Sequence, residues 1–280
     1  MRRSRLSPAL VLVTLLMSLG FAPSRASATW SVIAVDLSSG RVVVSSATCV
    51  AQGRFAGFPA LGLMDIQAIV VPGVGVAAAQ AGVDNTRANQ TLIYDELKAG
   101  TDPRLILDML RADPDIERRQ FGIVDMQGRS IGFSGNGNGA ASSSLQGQVP
   151  GTQIFYSVQG NILASDFVVT NAARALEETE GDIIDRVIAA MEAADDAGGD
   201  RRCTCETEPV PDAACDGRNA HVAYVLAADR DDPEGDSFND GDYFMYLDVT
   251  DENIESHENG NPVITLRMRY DAWKEANRQE

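Results

Sequence analysis

The sequence contains very few of the residues that build the commonest hydrolytic sites. Only two lysines, Lys98 and Lys274, and two histidines, His221 and His257, occur among its 280 residues. Neither histidine belongs to a serine–histidine–aspartate pattern, so we expect both to be structural and predict no triad hydrolase. Both lysines fall on predicted helices, so a lysine beside a nucleophile is not expected either. The sequence also lacks internal repeats.

Long hydrophobic runs are absent as well. The main apolar stretch, residues 9–21, is about a dozen residues long, whereas a transmembrane helix needs ~20. Arginines precede this stretch, and residues 26–28 (Ala-Ser-Ala) form the small-x-small pattern that signal peptidase cuts. We therefore predict that residues 1–28 are a cleaved secretory signal peptide, and that residues 29–280 are secreted or periplasmic with no membrane anchor. An uncleaved anchor is the alternative.

Basic residues are scarce relative to acidic ones, 23 against 40, which gives a net charge of −17. Removing residues 1–28 takes away four arginines and no acids, so 19 basic residues remain and the net charge becomes −21. Such a surface repels nucleic acid and anionic membranes, and no nucleic-acid partner is expected. The acidic insert at about 229–242 lacks the spacing of an EF-hand, so we predict a solvated loop with no metal and no cofactor. A calcium-stabilised loop is the alternative.

Cysteine occurs four times, and an even number in an exported protein favours disulfides over metal ligands. The C-x-C and C-x₉-C spacings match no common zinc finger. Three pairings are open from the sequence. A bond from either of the first two clustered cysteines to the third would close a short loop at about 203–215. The candidates are Cys49, Cys203, Cys205 and Cys215.

The residue after the predicted cleavage site is a threonine. Cleavage would give Thr29 a free α-amine beside its own hydroxyl, and that amine can act as general base for the hydroxyl. This arrangement defines the N-terminal-nucleophile hydrolases. A strand is predicted to begin at Thr29, and either Ser45 or Ser46 on the next strand could hydrogen-bond the amine. We therefore predict that Thr29 is a nucleophile toward an amide carbonyl.

The order of predicted elements is strands, two helices, strands, two helices and strands. This order favours an α+β class with antiparallel sheet faced by paired helices, and a four-layer αββα sandwich fits it. We expect residues 29–280 to form a single domain. The glycine-rich residues 135–151 are interpreted as a mobile loop over a site rather than a linker. Strands are expected at 29–36, 41–48, 66–71, 74–80, 119–125, 129–134, 154–158, 221–228, 243–249 and 263–268. Helices are expected at 85–98, 166–178, 182–194 and 270–277, and a further helix is expected to begin after a cap at Thr101.

Several segments share a pattern with one known family. They are residues 29–36 (Thr-Trp-Ser-Val-Ile-Ala-Val-Asp), 119–125 (Arg-Gln-Phe-Gly-Ile-Val-Asp), 157–164 (Ser-Val-Gln-Gly-Asn-Ile-Leu-Ala) and 197–202 (Ala-Gly-Gly-Asp-Arg-Arg). The chain resembles the bacterial family called domain of unknown function 1028, which is assigned an N-terminal-nucleophile-hydrolase-like fold. The resemblance implies that fold, with Thr29 at the head of the first strand. After residue 202 the chain departs from the family pattern, and the usual lysine there is missing.

Two segments supply candidate residues for binding. Asn161 could stabilise an oxyanion through its side-chain N–H, with Gln159 and Gly160 beside it in the substrate site; a turn-forming Asn is the alternative. Arg201 and Arg202 could bind a substrate carboxylate or pair with surface acids.

Asn85 is the remaining candidate for substrate binding. It either faces the site or caps the following helix, and capping is the favoured interpretation.

The function expected from these features is that of an exported amidohydrolase or peptidase. Its substrate would be a small-molecule or peptide-like amide. The alternative is a non-catalytic protein on the same fold that binds a ligand or a cell-wall fragment outside the cytoplasm. Self-association as a homo-oligomer is left open by the sequence.

Overall fold

The computed structural model of the protein describes residues 29–58 and 60–278. The predicted signal peptide, residues 1–28, lies outside the described residues. No helix in the described part of the chain combines the length and the apolar character that crossing a membrane requires.

Two antiparallel sheets form the centre of the fold. The six-stranded sheet has the order β10-β9-β2-β1-β8-β7, and the four-stranded sheet has the order β3-β4-β5-β6. The strands are β1 Thr29–Asp36, β2 Arg41–Thr48, β3 Ala68–Val71, β4 Gly75–Ala81, β5 Arg119–Asp125, β6 Ser130–Ser134, β7 Ser143–Gln148, β8 Ile154–Asn161, β9 Val222–Ala228 and β10 Met245–Thr250.

The described residues also form six α-helices, and the predicted α+β class is confirmed. They are α1 Leu63–Gln67, α2 Ala88–Lys98, α3 Pro103–Leu110, α4 Phe167–Glu178, α5 Ile183–Asp196 and α6 Pro262–Asn277. One core lies between the six-stranded sheet and helices α4, α5 and α6. A second lies between the two sheets, and a third between the four-stranded sheet and helices α2 and α3.

Strand β1 contributes to two of these cores because successive side chains point to opposite faces of a sheet. Trp30 and Val32 pack toward the helices, whereas Ile33 and Val35 pack between the sheets. All four are fully buried. Strand β1 is therefore a central strand covered on both faces, and Thr29 at its start lies on the face between the sheets.

The C-terminal region differs from the sequence prediction. Residues 263–268, expected as a strand before a short helix, belong to the single helix α6. The side chain of Asn261 caps this helix by accepting a hydrogen bond from the N–H of Val263 at 3.0 Å, and Pro262 occupies the first turn. The cap and the proline outweigh the β-branched residues that suggested a strand.

The glycine-rich region is also different from its prediction. Within residues 135–151, which were expected to form a mobile loop, strand β7 pairs with β8 along its whole length. The side chain of Asn138 donates to the carbonyl oxygen of Arg119 at 2.7 Å and fixes the segment before the strand. Pairing with a neighbouring strand overrides the weak strand preference of serine and glycine here.

The acidic insert is tied to both sheets. Asp229 forms an ion pair with Arg41 of β2 at 2.6 Å, and Glu234 pairs with Lys98 of α2. The carbonyl oxygen of Phe238 accepts a hydrogen bond from the N–H of Val70 in β3 at 2.8 Å. Many of its carboxylates are exposed, as expected for a solvated loop, but these contacts anchor it.

Two disulfides resolve the pairing that the sequence leaves open. Cys49 is bonded to Cys203, which lies 154 residues later in the chain, and Cys205 is bonded to Cys215. The second bond closes the predicted short loop. The first ties that loop to the end of strand β2.

Candidate functional site

Thr29 lies at the start of β1 between two partner strands. It is opposite Thr48 of β2 and opposite Asn161 of β8. Residues directly opposite each other in antiparallel strands point to the same face, so the side chains of Thr48 and Asn161 lie beside that of Thr29. The structure thus brings together the predicted nucleophile and the predicted oxyanion donor.

The side chain of Thr29 is held in place by neutral polar groups. Its Oγ1 donates a hydrogen bond to Oγ1 of Thr48 at 3.2 Å, and its carbonyl oxygen accepts one from Nε2 of Gln80 at 3.2 Å. Thr29 is only 3% exposed. The hydroxyl is therefore largely buried and oriented by a hydrogen bond.

Four buried glutamines connect the two sheets next to Thr29. Nε2 of Gln80 donates to Oε1 of Gln120 at 2.6 Å, and Nε2 of Gln120 donates to the carbonyl oxygen of Gly160 at 2.8 Å. Oε1 of Gln80 accepts from Gln67 and from Ser31, both at 2.7 Å. A buried network of this kind is rigid when its members are bonded, so it fixes the relative position of the strands that carry Thr29 and Asn161.

The fourth glutamine, Gln159, belongs to this network rather than to an open substrate site. Its Nε2 donates to Oγ of Ser31 at 2.5 Å, and its Oε1 accepts from Oγ of Ser157 at 2.8 Å. It is fully buried, so its observed role is to position strand β1. Gly160, the next residue, leaves room for the side chain of Leu163, which a Cβ at that position would contact at 2.7 Å.

We predict that Gly122→Ala disrupts the glutamine network. A Cβ on Gly122 would overlap the amide group of Gln159 in the space between the sheets. Overpacking of this kind costs about 1–3 kcal/mol of unfolding free energy. Denaturant unfolding should show the loss, while Gly57→Ala, a site with no atom within 4 Å of the new Cβ, should have little effect. Equal stability of the two variants would contradict this description of the network.

A narrow pocket opens beside Thr29 between the sheets. Its cavity volume is about 30 Å³, and the empty space reaches about 530 Å³ only when the region open to solvent is included. Its walls come mainly from the 3₁₀ turn Gln52–Gly57, helix α1, the end of β4 and the start of α2. The apolar side chains lining it are Val50, Phe55, Phe58, Leu63, Ile66, Val83 and Phe121.

The charged side chains that line this pocket are bound to other protein groups. Nε of Arg119 donates to Asp113 at 2.8 Å, and its Nη1 donates to the carbonyl oxygen of Gly82 at 2.8 Å. Burial acts to raise the pKa of Asp84, but hydrogen bonds from Thr86 and from the N–H of Asn89 outweigh it and lower the pKa. The pocket therefore presents an apolar wall with no uncompensated charge among the described residues.

Ser45 does not lie beside Thr29. The strand register places Ser45 opposite Val32, three residues along β1, and its Oγ donates to the carbonyl oxygen of Tyr224 at 2.7 Å. Oγ of Ser46 donates to the carbonyl oxygen of Trp30 at 2.6 Å, so neither serine lies where the α-amine contact was predicted. Thr48 occupies the position opposite Thr29 instead.

The two arginines after Asp200 are not directed into the pocket. Arg202 forms a two-pronged bond to the buried carboxylate of Asp200, with distances of 3.0 and 2.6 Å, and Arg201 is exposed. The other oxygen contacts of Asp200 include the N–H of Cys49 at 3.0 Å. Arg202 thus neutralises an acid that anchors the end of β2, which favours pairing with an acid over binding of a substrate carboxylate.

Asn85 neither lines the pocket nor caps the helix. It is exposed, and helix α2 begins three residues later, at Ala88. The neighbouring Asp84 accepts the hydrogen bonds of this turn, from Thr86 at 2.9 Å and from the N–H of Asn89 at 3.1 Å. At α3 the predicted cap is one residue early, because Asp102 rather than Thr101 is the cap.

Sequence reasoning missed Thr48 and the pocket residues. Thr48 could have been found from the turn that joins β1 to β2. This turn pairs Asp36 with Arg41, and the same register places Thr48 opposite Thr29. Gln80 and Gln90 carry no local signal of a site, since only the packing of one sheet on the other brings them to Thr29.

One group of side chains has metal-binding character. The sulfur atoms of Cys49 and Cys203 and a ring nitrogen of His221 lie within 4.8 Å of one another. The two sulfurs are joined in a disulfide and do not offer thiolates. Burial, together with the positive charges of Arg218 and Arg202, lowers the pKa of His221 to about 4, so its ring is neutral at pH 7.

Comparison with known proteins places the chain in a family. A family model described as "Family of unknown function (DUF1028)" matches residues 29–207, beginning at Thr29 and ending in the cysteine loop. The crystal structure of protein SPO2555 from Silicibacter pomeroyi, titled with the same family model, has a TM-score of 0.62 at 19% identity, covering 89% of this chain and 90% of that chain. At this identity the likeness shows the fold alone. No curated protein matches the sequence. Because the family model covers more than half of its length, the chain belongs to the Family of unknown function (DUF1028).

Proposed function

We propose that the protein is an exported amidohydrolase whose nucleophile is the hydroxyl of Thr29, exposed as an N-terminal residue by signal cleavage. The observation that carries this proposal is the position of Thr29. It begins a central strand, has a hydrogen-bonded hydroxyl, faces a pocket and lies opposite Asn161. The family model also begins at this residue.

The arrangement of the layers supports the same proposal. Two antiparallel sheets pack face to face, with α4, α5 and α6 on one outer face and α2 and α3 on the other. We interpret this arrangement as the four-layer αββα sandwich of the N-terminal-nucleophile hydrolases. In that fold the nucleophile is the first residue of a strand, which is the place of Thr29 here.

The chemistry follows from the groups around Thr29. The free α-amine takes the hydroxyl proton as Oγ1 forms a bond to the amide carbon, and Asn161 with backbone N–H groups stabilises the resulting oxyanion. The carbon–nitrogen bond then breaks, and the proton passes to the leaving amine. Water hydrolyses the ester and restores the hydroxyl. Thr48 and Gln80 position Thr29 throughout.

The first test of the proposal is the intact mass of the full chain after export from a bacterial host. We expect a mass that begins at Thr29 with an unmodified amine, because only that product carries both the nucleophile and its base. The free amine can be checked by N-terminal sequencing. A mature chain that begins elsewhere, or a blocked amine, would remove the general base from the mechanism.

A non-catalytic binding protein is the second candidate, and the lysines favour it. Lys98 pairs with Glu234, and Lys274 pairs with Asp185 at 2.5 Å. Neither lysine lines the pocket beside Thr29. On this alternative the pocket holds an amide-like ligand or a cell-wall fragment without cleaving it. A protein that binds amides with an intact Thr29 amine but never turns them over would support it.

A further inference from the structure

We infer that the pocket beside Thr29 selects amides that place an uncharged, apolar side chain in it, and that Gln90 accepts a hydrogen bond from the same ligand. This inference rests on the proposed function and names its substrate class. The acidic surface of the protein does not by itself indicate an apolar substrate, whereas the lining of the pocket does.

The walls of the pocket argue for an apolar group. Phe55, Leu63 and Ile66 are almost fully buried, and they face the pocket from the turn and the helix that follow β2. A charged side chain entering here would lose its hydration. It would gain no ion-pair partner in return, because Arg119 and Asp84 are already bonded to protein groups. An apolar side chain gains about 25 cal/mol for each Å² of surface that it removes from water.

Gln90 supplies a polar contact that a ligand in the pocket could make. Its Nε2 donates to the carbonyl oxygen of Ile66 at 2.9 Å, which fixes the orientation of the amide. Its Oε1 is buried and has no hydrogen-bond partner in the part of the chain that the structure describes, and the residue is only 2% exposed. A buried acceptor without a partner is costly, so a ligand that brings an N–H or O–H to Gln90 is favoured over one that does not.

The test uses peptide epoxyketones, which report on Thr29 directly. Oγ1 of Thr29 attacks the ketone carbon and the free α-amine opens the epoxide, so the whole mass of the probe is added and nothing is lost. The probes differ only in the side chain next to the ketone: leucine, phenylalanine, tyrosine, aspartate or lysine. One further leucine probe carries an N-methyl group on the amide of that residue. Labelling rates are measured by intact mass.

The apolar probes should label the wild-type protein at least ~10-fold faster than the aspartate and lysine probes, since the latter must bury a charge. Two comparisons identify the source of the donor. A faster reaction with tyrosine than with phenylalanine indicates a side-chain hydroxyl, and a slower reaction of the N-methylated probe indicates the backbone N–H. One of these two rate ratios, tyrosine to phenylalanine or unmethylated to N-methylated leucine, should differ from one in the wild type. In Gln90→Met, that ratio should fall by ~10-fold or return to one.

Ratios between probes within one variant do not depend on the folded fraction, so a partly unfolded Gln90→Met protein still gives an answer. Gln127→Met, the same change on an exposed turn, should keep every wild-type ratio. Charged probes that react as fast as apolar ones overturn the selectivity, and unchanged ratios in Gln90→Met overturn the role of Gln90. If no probe labels the wild type, the proposed function fails rather than this inference.

Discussion

Thr29→Ala is expected to lower amide hydrolysis by at least ~10³-fold, because it removes the attacking hydroxyl while leaving the strand intact. The α-amine, the pocket and the opposite residue Asn161 would all remain. The residues before the predicted cleavage site are unchanged, so export and processing should continue. The measurement is release of a fluorescent amine from an N-acyl leucine amide by the exported, processed chain.

Two matched variants make this result specific. Thr29→Ser keeps a hydroxyl and should retain a measurable fraction of the rate, while Thr170→Ala removes an exposed threonine from α4 and should be neutral. A Thr29→Ala protein that hydrolyses the amide at the wild-type rate would exclude Thr29 as the nucleophile. Unchanged ligand binding with no turnover in any variant would favour the binding protein.

Removing the Cys49–Cys203 disulfide is expected to cost more stability than removing Cys205–Cys215. The first bond joins residues 154 positions apart and the second joins residues 10 apart. The chain-entropy relation gives about 5 kcal/mol for the long loop and about 3 kcal/mol for the short one. Denaturant unfolding of Cys49→Ala/Cys203→Ala and Cys205→Ala/Cys215→Ala, under oxidising conditions, measures both free energies.

The short-loop variant acts as the control, because it also removes two sulfur atoms but leaves the link between the loop and β2 in place. Cys203 is almost fully buried, so the loss of packing there adds to the entropic loss in the long-loop variant. A larger loss from the Cys205–Cys215 pair would show that the short bond, and not the link to β2, holds this region together.

The two hairpin strands at the start of the mature protein illustrate what local pattern predicts well. Strands β1 and β2 have the predicted bounds, since both are β-branched apolar runs joined by a turn that ends in Gly40 at φ 84°. Helix α6 illustrates the opposite case. Its first turn is as β-branched as a strand, and the capping by Asn261 and its packing on the core decide for a helix.

The candidate site shows the same division. Thr29 and Asn161 could be nominated from sequence patterns, and the strand register then places them side by side. Ser45 does not neighbour Thr29, because the register of the hairpin places Ser45 opposite Val32 and Thr48 opposite Thr29. Gln80 and Gln90 come from other strands and helices, and no local pattern connects them to Thr29.

The sequence by itself determined the antiparallel α+β class, the strand headed by Thr29, and the segments that assign the family. These features depend on side-chain periodicity and turn residues, which act over a few positions. The tertiary structure alone decided the disulfide pairing, the glutamine network and the pocket lined by Phe55 and Gln90. Except for the Cys205–Cys215 bond, these features join residues far apart in the chain. The packing of one sheet against the other brings together the residues of the glutamine network and of the pocket.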